Sequence, residues 1–169
     1  MTRVICKQLQ INASLEHTWA LWTDASQVEK WFAPKAFIDP SLGGRYELFF
    51  VSGNSLYRNT EGCRILRFLP QEELTVTWKG PNQFTDLMNQ PSYQTTVTIR
   101  MKKMSDSTTC VKIFHDGFRE EEVWDAAYDW HDLAWAGILN RLQNELEKPE
   151  YSLGYTQFPT YKKTVSCAG

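Results

Sequence analysis

The sequence predicts an α+β domain in which a curved antiparallel sheet of about six to seven strands wraps one long C-terminal helix, with two short helices after the first strand. Three observations lead there. Between Arg45 and Phe114 the chain is a succession of β-favouring runs separated by turn residues. From about Glu120 to Glu147 the period changes. Trp124, Tyr128, His131, Trp135, Ile138 and Leu142 recur at steps of 4, 3, 4, 3 and 4, which is one stripe along a helix. The length, 169 residues of which 42% are hydrophobic, suits a single domain with a sizeable core.

The elements follow in order. Val4 to Ile11 reads as the first strand. Ser14 offers a helix N-cap, and Leu15, Trp19 and Trp22 follow at helical spacing to about Thr23. Ser26-Gln27-Val28-Glu29 matches a capping box opening a second helix, which Pro34 ends. Gly43-Gly44 marks a bend that needs positive φ or close backbone approach. Arg45 to Val51 is strand-like, and Ser52-Gly53-Asn54 is a turn signal. Leu56 to Leu69 reads as one long or bent strand with Gly62 as a bulge. Leu74 to Trp78 alternates cleanly, Lys79 to Ser92 reads as an irregular loop, and Tyr93 to Met104 carries Thr95, Val97, Ile99 and Met101 on one face. Thr108 to Phe114 is the last strand before the long helix, which Pro149 stops.

Composition removes several functions. The net charge of −2 and the lack of a Lys/Arg cluster give no phosphate-binding patch, so no nucleic acid is expected. No apolar run approaches a membrane span, and Met1-Thr2-Arg3-Val4 lacks a signal-peptide core, which points to the cytoplasm. Cys6, Cys63, Cys110 and Cys167 show no metal-ligand spacing. A disulfide framework is not expected, and the first three read as small apolar strand residues. The sequence calls for no cofactor and no metal. Aromatics make up 14%, with seven Trp, consistent with either a bulky core or an aromatic-lined cavity.

Polar candidates are few. His131 and Tyr128 lie together on the helix stripe and are weak candidates for an acid–base pair or for orienting a ligand. His115-Asp116 precedes Gly117 and reads as a strand-to-helix turn with Asp116 capping the helix. Arg45 reads as an exposed charge, with pairing to an anionic ligand head as the sharper alternative. There is no GxSxG elbow and no phosphate-cradling glycine loop.

The order of elements resembles the helix-grip fold of the START-like (SRPBCC) superfamily. More narrowly, it resembles the family named after the C-terminal domain of the heat-shock-protein-90 ATPase activator. The residues that carry this are Ser14 to Trp22, Val28-Glu29-Lys30-Trp31-Phe32-Ala33-Pro34, Leu42-Gly43-Gly44-Arg45-Tyr46 and Glu61-Gly62-Cys63-Arg64-Ile65. Pro70 to Trp78, Thr108 to Ile113 and His131 to Leu139 complete the set, with Ala134 where the family usually has Gly. The match runs over about residues 3 to 147, so residues 1–148 read as the START-like domain and 149–169 as a tail. The tail reads as a segment packed along the surface or partly disordered, with a cover over a pocket mouth or a dimer contact through Tyr151, Tyr155, Phe158 and Tyr161 as the sharper alternative.

The resemblance implies a cavity between sheet and helix. Its expected lining is Trp31, Phe32, Tyr46, Leu48, Phe50, Trp78, Val97, Ile99, Trp124, Tyr128, His131 and Trp135, with the Trp31 region and the Lys79 to Ser92 loop near the entrance. A small hydrophobic or lipid-like ligand is the first expectation. An enzyme of the polyketide cyclase or hydrolase type using the same cavity, and a co-chaperone activating a chaperone ATPase, are the alternatives. A homodimer is a further candidate assembly.

Overall fold

The computed structural model describes residues 1–50, 59–148 and 165–167. In chain order the elements are β1 (Thr2–Ile11), α1 (Leu15–Thr23), α2 (Ala25–Trp31), β2 (Lys35–Ile38), β3 (Tyr46–Phe49), β4 (Ile65–Leu69), β5 (Glu73–Trp78), α3 (Thr85–Met88), β6 (Thr95–Ser105), β7 (Thr108–Arg119), α4 (Asp125–Glu147) and β8 (Val165–Ser166). Six strands form one antiparallel sheet in the order β4-β5-β6-β7-β1-β8, and β2 pairs with β3. Bridges from Arg45 to Arg64 and from Phe49 to Asn59 join the two sheets into one curved surface. The α+β architecture with a curved antiparallel sheet and a long C-terminal helix is therefore present.

Alternation decides what the sheet buries. Leu74, Val76 and Trp78 of β5 point inward, as do Thr95, Val97, Ile99 and Met101 of β6. Cross-strand partners line up as one buried row, Ile65–Val76–Val97–His115–Ile5. Helix α4 covers this face with Ala127, His131, Trp135, Ile138, Leu139 and Leu142. Its 23 residues make a rod of about 34 Å at about 1.5 Å per residue. Two cations on β1 hold the helix in register: Arg3 pairs with Asp125 and the buried Lys7 with Asp132, each at 2.7 Å. Phe32 fills the centre, with ring centroids 4.8 Å from Trp31, 5.5 Å from Trp22, 5.7 Å from Phe50 and 6.0 Å from Trp135. Burying such rings contributes about 2 kcal/mol each and sets the core.

The bend at Gly43-Gly44 uses both properties expected of it. Gly43 has φ +78°, and a Cβ on Gly44 would stand 2.0 Å from the Asp39 carbonyl oxygen. Ser14 caps α1 as expected, accepting from the His17 amide at 3.2 Å.

Several readings are corrected. Asp24, not Ser26, caps α2, accepting from the Ser26 amide at 2.8 Å. Glu29 reaches forward instead, to the Ala36 amide at 3.0 Å and to Lys35. The strand β2 was not expected, because four residues after Pro34 are too few to show alternation. Gly62 sits in a turn (φ +84°) ahead of β4 rather than in a bulge. The Lys79 to Ser92 stretch holds the short helix α3, closed off by Asn89. Its side chain bonds both the amide and the carbonyl of Gly80 at 2.8 Å. β7 runs on to Arg119, past the expected end at Phe114, and α4 proper begins at Asp125, after a single 3₁₀ turn at Glu122–Trp124.

The cysteines also depart from expectation. β8 lies antiparallel to β1, with Lys7 opposite Ser166 and Gln8 opposite Val165. That register puts Cys167 beside Cys6, and the two form a disulfide with Cα atoms 5.4 Å apart. Cys63 is buried and free, and Cys110 is half-buried and free. The expected Ser52-Gly53-Asn54 turn, the start of the Leu56 strand, Pro149 and the tail aromatics lie outside the described residues.

Candidate functional site

Two buried imidazoles meet beneath α4. His115 comes from β7 and His131 from the helix, with ring centroids 5.1 Å apart and planes at 86°. Neither side chain has appreciable solvent contact.

His115 points inward because it continues the alternation of Val111 and Ile113. The turn comes later than expected. Gly117, at φ +103°, is the extra residue of a bulge opposite the Arg3–Val4 step, and it flips the strand's parity so that Phe118 is buried next. Asp116 accordingly does not cap the helix. It accepts from the Gly117 amide at 2.6 Å and from the Thr2 hydroxyl at 3.1 Å.

Both ring nitrogens of His115 are satisfied. Trp135 Nε1–H can only donate, so it donates to His115 Nδ1 at 3.0 Å. The proton of His115 therefore sits on Nε2, which donates to Thr95 Oγ1 at 2.9 Å. Thr95 in turn donates to the Trp78 carbonyl at 3.3 Å. Burial, seconded by the neighbouring His131, holds the His115 pKa well below the ordinary imidazole value, so the ring is neutral.

His131 is only half satisfied. Its Nδ1–H donates to the Ala127 carbonyl, one turn back, at 2.7 Å. That leaves Nε2 as a bare acceptor, and it is buried without a partner. Burial lowers the His131 pKa to about 4, against the Ala127 bond, which favours the charged form.

His131 forms part of the wall of an open groove of about 490 Å³ between α4 and the ends of β3 and β5. Of the residues predicted to face a ligand, Phe50, Trp78, His131 and Trp135 line this groove. Trp31, Phe32, Tyr46, Leu48, Val97, Ile99 and Trp124 are buried in the core instead. The Trp31 indole donates to the Leu21 carbonyl at 2.9 Å, and the Tyr46 hydroxyl to the Trp22 carbonyl at 2.8 Å. Desolvation pushes the Tyr46 pKa above the usual phenol value. Tyr128 is half-buried against Phe118, with the Arg3 guanidinium 4.8 Å over its ring, and it does not line the groove.

The loop expected near the entrance does contribute, through Lys79, Gly80 and Pro81. Trp130, Leu133, Ala134, Gly137, Ile138 and Arg141 add the rest of the helical side. Sequence spacing could have found them, since Ile138 belongs to the stripe and the others flank it on the helix. Arg45 is occupied elsewhere: its Nε donates to Asp39 at 2.9 Å, on the exposed side. That pair draws the Asp39 pKa below the usual carboxylate value.

Among the described residues no cluster of three or more His, Cys, Asp or Glu side chains could hold a metal ion. Nor is any of their helices long and apolar enough to cross a membrane.

Solved structures repeat this fold at low identity. Protein MLL2253 from Mesorhizobium loti superposes with a TM-score of 0.69 at 20% identity, covering 88% of this chain and 100% of that one. The Aha1 dimer from Colwellia psychrerythraea gives 0.68 at 17% identity, covering 88% and 99%. CalU16 from Micromonospora echinospora gives 0.64 at 20% identity, covering 87% and 78%. No curated protein matches the chain. The model of the family described as activator of Hsp90 ATPase homolog 1-like protein matches residues 12–147, and the chain belongs to that family.

Proposed function

We propose that this protein binds a small apolar ligand carrying a hydrogen-bond donor, seated in the groove beside α4. The observation that supports this is His131, a residue of the groove wall whose Nε2 is a buried acceptor with no partner. Leaving such a group unsatisfied costs about 1–3 kcal/mol, and buried polar groups in native folds are otherwise nearly always paired. A ligand O–H or N–H that reaches Nε2 through a small turn of the ring recovers that cost. Trp78, Trp135, Phe50, Ile138 and Pro81 supply the apolar walls, and a volume of about 490 Å³ falls within the range of roughly 300–1,000 Å³ typical of small-molecule sites.

The same atoms favour binding over acid–base catalysis. A group with a pKa of about 4 accepts a hydrogen bond at neutral pH but is a poor proton acceptor there. Tyr128, the other half of the expected pair, faces Phe118 and Arg3.

The test is a panel of apolar compounds in matched pairs, alcohol against methyl ether, read by thermal shift and native mass spectrometry. Ligand at a hundred times its dissociation constant stabilises by about 2.7 kcal/mol. Alcohols should bind tighter than their ethers. Gly137→Leu should abolish binding without unfolding the protein, because Gly137 lines the groove and a Cβ there meets nothing within 4 Å. A protein that stays empty across the panel overturns the reading.

A further inference from the structure

The sheet has a second side, turned away from α4 and the groove. On β6 the buried Val97, Ile99 and Met101 alternate with Thr98, Arg100 and Lys102, and on β7 the buried Val111 and Ile113 flank Lys112. Alternation turns the second set outward. Register then gathers the outward cations. Arg100 stands directly opposite Lys112, and Lys102 opposite Cys110, the next outward position along β7. Opposite side chains have Cβ atoms about 4.5–5.5 Å apart and diagonal ones about 7–8 Å, so Arg100, Lys102 and Lys112 share one small area. No single run of sequence shows this cluster, because β6 and β7 each supply only part of it.

One carboxylate answers them. Glu73, opposite Arg100 on β5, accepts from Arg100 Nε and from Arg67 Nε, each at 2.6 Å. Among the described residues Lys102 and Lys112 have no ion pair. Arg67, Arg100, Lys102 and Lys112 thus set four positive charges against one negative, a local surplus of three, in a chain whose net charge is −2. Like charges directly opposite one another destabilise a sheet. Elsewhere cations are matched one to one: Arg3 with Asp125, Lys7 with Asp132, Lys35 with Glu29, Arg45 with Asp39 and Lys103 with Asp106. The fold tolerates repulsion at this one place, and a concentrated positive field draws anions to it.

The arrangement also selects the shape of the anion. Arg100 is held in place by Glu73 and by Phe114, whose ring lies 5.2 Å beneath the guanidinium, so little side-chain freedom is lost on binding. Arg100 and Lys102 are two residues apart on one strand, about 6.8 Å, and side chains two apart in any extended peptide have the same spacing. The surplus is also bounded. Asp116 lies further along the outward face of β7, and Asp106 stands at the turn beyond β6. A nucleic-acid strand or a lipid surface presents its negative charge continuously and would run over these carboxylates. A short run of two or three carboxylates on a polypeptide does not.

We propose that this outer face of β6 and β7 docks an acidic, extended segment of a partner protein, with carboxylates two residues apart reaching Arg100 and Lys102, and Lys112 beside them. The surface lies across the sheet from the groove and does not depend on what the groove binds. No bond is made or broken.

Fluorescence anisotropy tests this with a labelled peptide of about eight residues alternating Glu and Ser, the same peptide with Gln for Glu, and a third whose equal number of glutamates are three residues apart and so point to alternate faces when extended. The alternating peptide should bind, severalfold tighter than the third, and the Gln peptide should not bind. Binding should weaken severalfold between about 50 mM and about 200 mM salt. The Lys102→Gln, Lys112→Gln variant should weaken it at least about tenfold, whereas Lys35→Gln, Lys148→Gln, which removes the same formal charge elsewhere, should leave it within about twofold. All four lysines are exposed, so both variants keep the fold, as circular dichroism should confirm. Lys112→Gln alone should raise the urea midpoint slightly, because it relieves a like-charge pair. Equal loss in the two double variants, indifference to glutamate spacing, or no binding of the alternating peptide overturns the proposal. So does tighter binding of single-stranded DNA or phosphatidylserine vesicles that the Lys102→Gln, Lys112→Gln variant abolishes, since the surface then serves phosphates.

Discussion

His115 and His131 sit one ring apart and could not be more differently employed. His115 is closed into a relay running from the Trp135 indole through Thr95 to the Trp78 carbonyl. His131, packed against it and part of the groove wall, keeps a buried Nε2 with no partner. Burial alone therefore says little about what a histidine does. The count of satisfied ring nitrogens separates a structural imidazole from one that awaits a partner.

The sharpest way to break this distinction is a pair of substitutions. His115→Leu keeps the volume but strips the Trp135 indole of its acceptor and Thr95 of its donor, at a cost of about 3–4 kcal/mol in urea unfolding. His131→Leu loses one bond to Ala127 and relieves an unsatisfied atom, and should stay within about 1 kcal/mol of the parent. Equal losses would erase the contrast.

Acid sharpens it next. His131 has a folded pKa of about 4 against an ordinary 6.5, so between those values the unfolded chain takes up a proton that the folded one refuses. Stability is full above pH 6.5, falls as pH drops toward 4 by on the order of 3 kcal/mol, and levels off below. His115 pushes in the same direction. Urea titrations at neutral and acidic pH read this, and His131→Leu should show a shallower fall.

Thr95→Val tests the relay from its far end. Removing the hydroxyl leaves His115 Nε2–H without an acceptor and should cost about 1–2 kcal/mol, with groove affinity unchanged. The smallest effect has the opposite sign. Gly137→Ala, on the groove side of α4, should raise stability by up to about 1 kcal/mol through helix propensity, since the added methyl meets nothing. A loss would mean that the groove is tighter than its geometry indicates.

The sequence revealed one histidine and hid the other for a physical reason. His131 falls on a 3.6-residue stripe, which side-chain spacing displays directly. His115 also obeys its period, two residues after Ile113, but the following Asp116-Gly117 looks like a turn. Only the pairing of β7 with β1 shows that Gly117 is a bulge inside a longer strand. The cap of α2 was misplaced by two residues because Asp24 and Ser26 are equally good capping types, and the choice depends on tertiary placement. The Cys6–Cys167 link has no local signature at all, since it follows from where β8 docks. Within the candidate site, aromatic content was legible, but which rings fill the core and which face open space was not. That division depends on how Phe32 packs between sheet and helix.

The link between Cys6 and Cys167 also has a mechanical consequence. It joins residues 161 positions apart, so nearly the whole fold lies inside one covalent loop. A force applied to handles outside that loop loads only the Thr2–Ile5 end of β1, which pairs with β7, and then passes through the sulfur–sulfur bond, so the ladders enclosed by the loop carry none of it. In a pulling experiment the domain should show no unfolding extension beyond the few residues outside the bridge. Adding a reductant should release the full contour length of the enclosed chain in the same molecule.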